Sequence, residues 1–237
     1  MGQVGSAMLL LVVTIAGCNS APIRVADHAV PLVRETEGRN WLTSKEIVRF
    51  AEFEIANRQQ GVQQATFREA AFTRDKLRKE SSIQYTLRSN GVDLATVEAR
   101  SVRKMTKLPT KIGNISSDKF DVLDGQIQLA SGKSAKFALM GFNSRNLSVK
   151  AEGAIDIDAV SIQMREVDAP WNDARAGFAG VEFFLNDRRV GQVLVRRNEH
   201  VWVEQTLPED VRTVVNAMCG LLLIARQLDT HQPHGAE

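Results

Sequence analysis

The amino-acid sequence predicts a mainly β fold of the α+β class, in which antiparallel hairpins can close into a barrel and a buried hydrophobic helix follows at the C-terminal end. Short segments that alternate apolar and polar residues recur between turn residues, which is typical of half-buried strands joined as hairpins. A longer apolar run comes after them. With 237 residues, of which 43% are hydrophobic, the chain is long enough to bury a full core.

The N-terminal segment contains an uncharged apolar run from Met8 to Ala16. It is shorter than the about 20 apolar residues that a membrane-spanning helix needs, and it fits the hydrophobic part of a signal peptide. The run ends in Ile15-Ala16-Gly17-Cys18, which resembles the lipobox of bacterial lipoproteins. The resemblance implies that residues 1–17 are a signal peptide removed by cleavage, and that Cys18 carries lipid such as palmitate.

Two other interpretations of the N-terminal segment stay open. The first seven residues contain no Lys or Arg, although a signal peptide normally begins with positive charge. Met1 to Ser6 also fits the pattern for N-myristoylation, and the apolar run alone fits an ordinary core segment.

If the lipobox is right, Asn19 favours the outer membrane, facing the periplasm, because the familiar signal for retention in the inner membrane is Asp at this position.

Residues 18–40 read as the lipidated cysteine and a tether, since they contain Pro22, Pro31 and Gly38. A single β-rich domain is predicted for residues 41–228, followed by a polar tail over residues 229–237. At the start of the domain, Thr43 to Glu46 fits the capping box of a helix, but Phe53 and Ile55 alternate with glutamates as in a strand. The strand is favoured.

Three hairpins are predicted from turn residues that lie between alternating segments. Asn90-Gly91 supplies the positive φ angles that a tight hairpin turn needs, and Gly132 and Asn186-Asp187 mark two further turns. The strand segments are 83–87 with 92–97, 127–129 with 135–139, and 181–185 with 190–195, and further strands are predicted at 154–158, 160–164 and 201–203. Strands joined in this way form an antiparallel sheet.

The last predicted element is a helix from Val211 to Leu228, with Asp210 as its N-cap. Apolar residues surround this helix almost completely, which predicts burial on all sides. A second membrane span is the alternative, although Arg212 and Asn216 interrupt the run.

The region from Val181 to Leu228 resembles the C-terminal part of tubby-like domains, the group that includes LURP-one-related proteins and phospholipid scramblases. The residues that carry the resemblance are Gly191-Gln192-Val193, Val201 to Glu204 and the apolar run after them. The resemblance implies strands that precede a hydrophobic helix filling a closed barrel. Members of that group are associated with membranes or phosphoinositides, but a fold alone does not carry function.

Composition and motifs argue against several function classes. Formal net charge is +2 and aromatic residues make up 6% of the chain, so no nucleic-acid partner is expected. No catalytic residue, metal site or cofactor is predicted, because the sequence contains no nucleophile elbow, phosphate loop, dinucleotide fingerprint or zinc-ligand spacing. Among the histidines, His28 falls in the tether, His231 and His234 fall in the tail, and His200 reads as a surface residue.

Two smaller features have structural interpretations. Asp156 and Asp158 share one face of a predicted strand, where they can bind a cation or act as an acid pair, but a polar outer face already explains them. Cys219 lies in an apolar run and reads as a buried, inert thiol, with a disulfide to Cys18 or a metal site as alternatives.

The candidate binding residues are a run of cations that contains no acidic residue between Val102 and Ser117. Its members are Arg100, Arg103, Lys104, Lys107 and Lys111. They can face anionic lipid headgroups or another polyanion of the envelope, and a solvated loop is the alternative. A second basic stretch over residues 68–79 is interleaved with acids.

Taken together, these features predict a lipid-anchored protein of the bacterial cell envelope. Its membrane contact is the lipid on Cys18, and its domain is a non-enzymatic binding module for an envelope protein or anionic lipid. An envelope enzyme acting on a cell-wall or lipid substrate, or a purely structural lipoprotein, is the alternative.

Overall fold

The computed structural model describes residues 30–37, 45–69, 74–110, 113–142, 150–167, 178–195 and 199–225. These residues form twelve β-strands and one α-helix. The strands are β1 (Val30–Glu37), β2 (Lys45–Phe50), β3 (Phe53–Glu69), β4 (Arg74–Ser89), β5 (Val92–Thr110), β6 (Gly113–Leu129), β7 (Ser134–Met140), β8 (Glu152–Ile157), β9 (Val160–Glu166), β10 (Gly180–Leu185), β11 (Arg188–Leu194) and β12 (His200–Val203), and the helix is α1 (Glu209–Ala225).

The strands form a closed antiparallel barrel in which each strand lies beside its neighbours in the chain. The ring closes where β1 pairs with β12 through Val30 opposite Val201 and Pro31 opposite His200. Closure pairs each strand with a neighbour on both sides over part of its length, which reduces the free edge open to edge-to-edge association. The mainly β prediction with antiparallel hairpins and a C-terminal helix is therefore confirmed.

The predicted hairpin turns are confirmed because their residues adopt the positive φ angles that the turns require. Asn90 and Gly91 have φ of 50° and 80°, and Asn186 and Asp187 have φ of 51° and 60°. Positive φ at both central residues is the signature of the type I′ turn, whose twist matches that of the flanking strands. Gly132 has a φ of 87° in the turn between β6 and β7.

Helix α1 lies inside the barrel, as its apolar circumference predicts. Every residue from Thr213 to Ala225 is buried, including those on opposite sides of the helix. The helix contacts β5 and also β11, which is six strands away around the ring in either direction and therefore on the opposite wall. Twelve strands enclose more space than side chains alone fill, and a helix about 10–12 Å across occupies it.

The helix begins earlier than the sequence indicated. It starts at Glu209, and the N–H of Arg212 bonds to the carbonyl of Pro208, so Asp210 lies in the first turn rather than at the N-cap. The carboxylate of Asp210 instead binds side chains of the β6–β7 hairpin. Residues 226–228 of the predicted helix lie outside the described residues.

Two other expectations need correction. The second half of the predicted tether contains strand β1, which pairs with β2. Pro31 does not prevent this pairing, because it lies near the start of the strand, where a proline is tolerated. His200 is half-buried at the start of β12 rather than on the surface, since β1 and β11 flank it. The favoured strand at the start of the domain is confirmed by β2 and β3.

Strands β3 to β6 continue beyond the barrel wall. The outermost residue pair between β6 and β7 is Val122 with Met140, and β2 pairs with β3 only from Phe53 to Ile55. Beyond the pair of Val122 with Met140, β3, β4, β5 and β6 pair only with one another, within the part of the chain that is described. We call this part the sheet extension; it comprises residues 64–69, 74–79, 103–110 and 113–121, and its eight residues from β5 reach about 25 Å.

Candidate functional site

The sheet extension brings together the two basic stretches of the sequence. In the pairing of β4 with β5, Arg78 lies opposite Lys104 and Lys79 lies opposite Arg103. Successive residues of a strand belong to opposite faces, so each face of the extension contains one directly opposed pair of cations. Like charges directly opposite one another destabilise a sheet, and a bound anion would relieve that cost.

Arg100 lies at the base of the extension, where two carboxylates neutralise it. Its guanidinium donates to Asp124 Oδ2 at 3.1 Å and lies 3.8 Å from Glu80 Oε1. The hydrogen bond to Asp124 raises the pKa of Arg100 above its usual value. Arg100 therefore belongs to an ion-pair network with these two carboxylates.

The other predicted residues occupy different register positions on β5. Arg103 lies opposite Asp121 of β6, and Lys107 lies opposite Asp75 of β4, so each has an acidic residue directly across. Lys104 lies between Arg78 of β4 and Phe120 of β6, with no acidic residue directly across.

The strand placement corrects the alternative of a solvated loop for residues 100–107, because all of them belong to β5. Lys111 lies outside the described residues, as does Cys18, the predicted lipidation site. Among the described residues of β5, Lys104 has a cation, Arg78, directly across on β4 and no acidic residue directly across on β6. Arg78 belongs to the second basic stretch of the sequence. The signal that could have found this pair is the Asn90-Gly91 turn, because a hairpin turn fixes which residues of its two strands lie opposite one another.

Among the described residues, helix α1 and the apolar side chains around it occupy the barrel interior. The hydroxyl of Tyr85 donates a hydrogen bond to the carbonyl of Ala217 on the helix. Burial raises the pKa of the Tyr85 hydroxyl and also that of the Cys219 thiol. Cys219 is fully buried and forms no disulfide within the described residues, so the predicted burial of this thiol is confirmed.

Charged residues at the turn end of the barrel form a network that joins helix α1 to the wall. Lys133 Nζ lies 2.9 Å from Asp210 Oδ2 and 3.1 Å from Asp158 Oδ2. The hydroxyl of Ser131 donates to Asp210 Oδ1 at 3.0 Å. The ammonium of Lys133, with help from Ser131, lowers the pKa of Asp210. These contacts hold the first turn of the helix against the β6–β7 hairpin.

The two aspartates considered as an acid pair are engaged separately. Asp156 accepts a hydrogen bond from Ser161 at 2.7 Å, while Asp158 lies in the β8–β9 turn beside Lys133. Both residues are exposed, which agrees with the interpretation of a polar outer face. Within the described ranges, no group of three His, Cys, Asp or Glu residues is placed to hold a metal ion.

The chain matches no family model, no curated protein and no solved structure among those compared with it. The likeness of residues 181–228 to tubby-like domains remains a prediction. Its expectation of a helix enclosed by strands agrees with the architecture described above. Among the described residues, no helix is long and apolar enough to cross a membrane.

Proposed function

We propose that this protein is a lipid-anchored lipoprotein of the bacterial cell envelope, whose β domain binds an envelope protein or anionic lipid and catalyses no reaction. Lipid on Cys18 attaches it to the membrane, and Asn19 directs it to the outer membrane, facing the periplasm. The sequence support is the apolar run from Met8 to Ala16 that ends in the lipobox-like residues before Cys18.

The proposed binding role rests on the packing of the barrel, which places possible contacts with a partner on the outer surface. Helix α1 is buried from Thr213 to Ala225 between opposite walls, so the space where a barrel can hold a ligand is occupied by the chain itself. Contacts with a partner then lie on the outside of the molecule, and the sheet extension contributes long stretches of strand there.

The charge of the extension favours an anionic partner for one of these contacts. Arg78 and Lys104 are directly opposed, and their neighbour on β6 is Phe120. Clusters of Lys and Arg attract anionic headgroups, and aromatic residues are enriched at the level of the headgroups. Each Lys or Arg near such a surface contributes about 1 kcal/mol of attraction.

Metabolic labelling with palmitate tests the anchor. Label should enter the wild type and the variant Cys219→Ala, which removes the buried cysteine, but not Cys18→Ala. The Cys18→Ala protein should also keep residues 1–17, because the lipoprotein peptidase cleaves only after lipid is attached. Equal labelling of the Cys18→Ala and wild-type proteins would contradict the anchor.

A further inference from the structure

The two edges of the sheet extension differ in how they are protected against pairing with another strand. Unpaired strand edges present free N–H and C=O groups, and natural proteins block them with charges, prolines or β-bulges. The edge formed by β6 has such protection: Lys119 is an extra residue in a bulge opposite Lys104 and Met105, and Asp118 and Asp121 flank it.

The edge formed by β3 has none of these features over nine residues. Residues 59–67 read Gln-Gln-Gly-Val-Gln-Gln-Ala-Thr-Phe and contain no charge and no proline. Their register with β4 is continuous from Gln59 to Glu69, so the edge contains no bulge there. No described strand pairs with β3 on its other side beyond Ile55.

We infer that the unpaired edge of β3 from Gln59 to Glu69, which runs from the barrel wall into the sheet extension, is an interface at which two copies of this chain join their sheets. An antiparallel two-fold arrangement centred on Gln64 sets Arg68 opposite Gln60 and Glu69 opposite Gln59 of the partner subunit. No like charges then oppose each other anywhere along the shared edge. The free backbone groups from Gln59 to Glu69 of both edges gain partners, and the two four-stranded extensions become one eight-stranded sheet.

A second copy suits this edge better than a charged peptide does. Its uncharged glutamine-rich sequence has no cation or carboxylate to select a charged partner, whereas Gln opposite Gln is compatible with itself on both sides of a two-fold axis. The inference does not rest on the proposed anchor, although confinement of the copies to one membrane would raise their effective concentration.

The first test is the association of the full-length protein, purified in detergent, measured by analytical ultracentrifugation. Gln64→Glu is the decisive variant, because the introduced carboxylate would lie opposite Lys79 within its own sheet but opposite the same carboxylate of the second copy across the two-fold axis. The dissociation constant of the dimer should rise by about fivefold or more. Ser117→Glu, which adds the same charge to the β6 edge, should leave it unchanged. A wild-type protein that stays monomeric, or equal effects of the two variants, would overturn the inference.

Cross-linking in intact membranes supplies the second test. The variant Gln64→Cys should give a disulfide-linked dimer after mild oxidation, because Gln64 opposes its own copy at the centre of the interface. The matched variant Ser117→Cys at the β6 edge should stay monomeric under the same conditions. A disulfide adduct of Gln64→Cys with a different protein in place of the dimer, or no adduct at all, would overturn the assignment to a second copy.

Discussion

Tyr85 and Gly220 show how single residues fit a helix into a barrel. Gly220 lies where helix α1 approaches the wall closely: a Cβ atom at this position would be 3.1 Å from the Tyr85 hydroxyl oxygen and 3.1 Å from Ile55 Cδ1. Glycine within a helix costs about 1 kcal/mol relative to alanine. The close approach explains why the helix contains glycine here, since it lets the Tyr85 hydroxyl reach the helix backbone at Ala217.

The variant Tyr85→Phe should reduce the free energy of unfolding by about 1 kcal/mol, because it removes one buried hydrogen bond and keeps the ring in place. Denaturant unfolding of the unlipidated protein measures this change. A difference below about 0.3 kcal/mol would show that the hydroxyl contributes nothing to holding the helix.

A second prediction at the residue scale concerns the pH dependence of the Asp210–Lys133 pair. The pKa of Asp210 is lowered, so its contribution to stability is present above the usual aspartate value of 3.8 and is lost as the pH falls through the lowered value. The pKa of Lys133 is raised, so the same pair persists up to the usual lysine value of 10.5 and is lost as the pH rises through the raised value.

The variant Asp210→Asn isolates this contribution. Wild type should be more stable than Asp210→Asn at about pH 7, and the difference should shrink towards about pH 2, where the carboxylate is protonated. Lys133 is exposed and Asp210 is only half-buried, so solvent screens the pair and the difference at neutral pH is expected to be small. A difference that does not change between the two pH values would contradict the assignment.

Among the elements, the hairpins were the most predictable from sequence and the sheet extension the least. Asn90-Gly91 and Asn186-Asp187 encode their turns locally, through residues that tolerate positive φ. The extension has no such local signal, because the alternation of apolar and polar residues that marks a strand depends on one face being buried. Residues 103–110 of β5 read Arg-Lys-Met-Thr-Lys-Leu-Pro-Thr, which lacks that alternation.

Strand β1 was missed for a related reason. Prolines and glycine in residues 18–40 indicate a flexible tether, but the pairing of β1 with β2 and β12 depends on partners far along the chain. The candidate cations were found from sequence as a run without acids, whereas the opposition of Lys104 and Arg78 depends on hairpin register.

The cations of the sheet extension lead us to expect binding to anionic membranes. Changing Lys104, Lys107 and Lys111 together to Glu should weaken binding of the unlipidated protein to anionic liposomes, and the effect should shrink at high salt because screening removes it. The single variant Lys104→Glu should weaken binding more than Lys136→Glu, which makes the same charge change at an exposed position of the barrel wall. Liposome co-sedimentation measures both. Absence of binding by the unmutated protein at low salt would end this proposal.

At the scale of the whole molecule, the barrel and its helix form one cooperative unit. A helix that is apolar around its full circumference is stable only when every side is covered, and β5 and β11 cover opposite sides. The sequence predicts this enclosure because the apolar residues of the helix leave no polar face. For the proposed binding role, the occupied interior leaves the outer surface for partners.

Denaturant unfolding of Leu222→Ala and Leu223→Ala tests this enclosure most directly. The two side chains are fully buried and point about 100° apart on the helix, so one of them would face solvent if the helix packed against a single wall. Each variant should lower the free energy of unfolding by about 2–5 kcal/mol, whereas Met140→Ala, at a side chain that is 60% exposed, should change it little. If either leucine variant changes the free energy of unfolding by less than about 0.5 kcal/mol, the helix is not enclosed and the account is wrong.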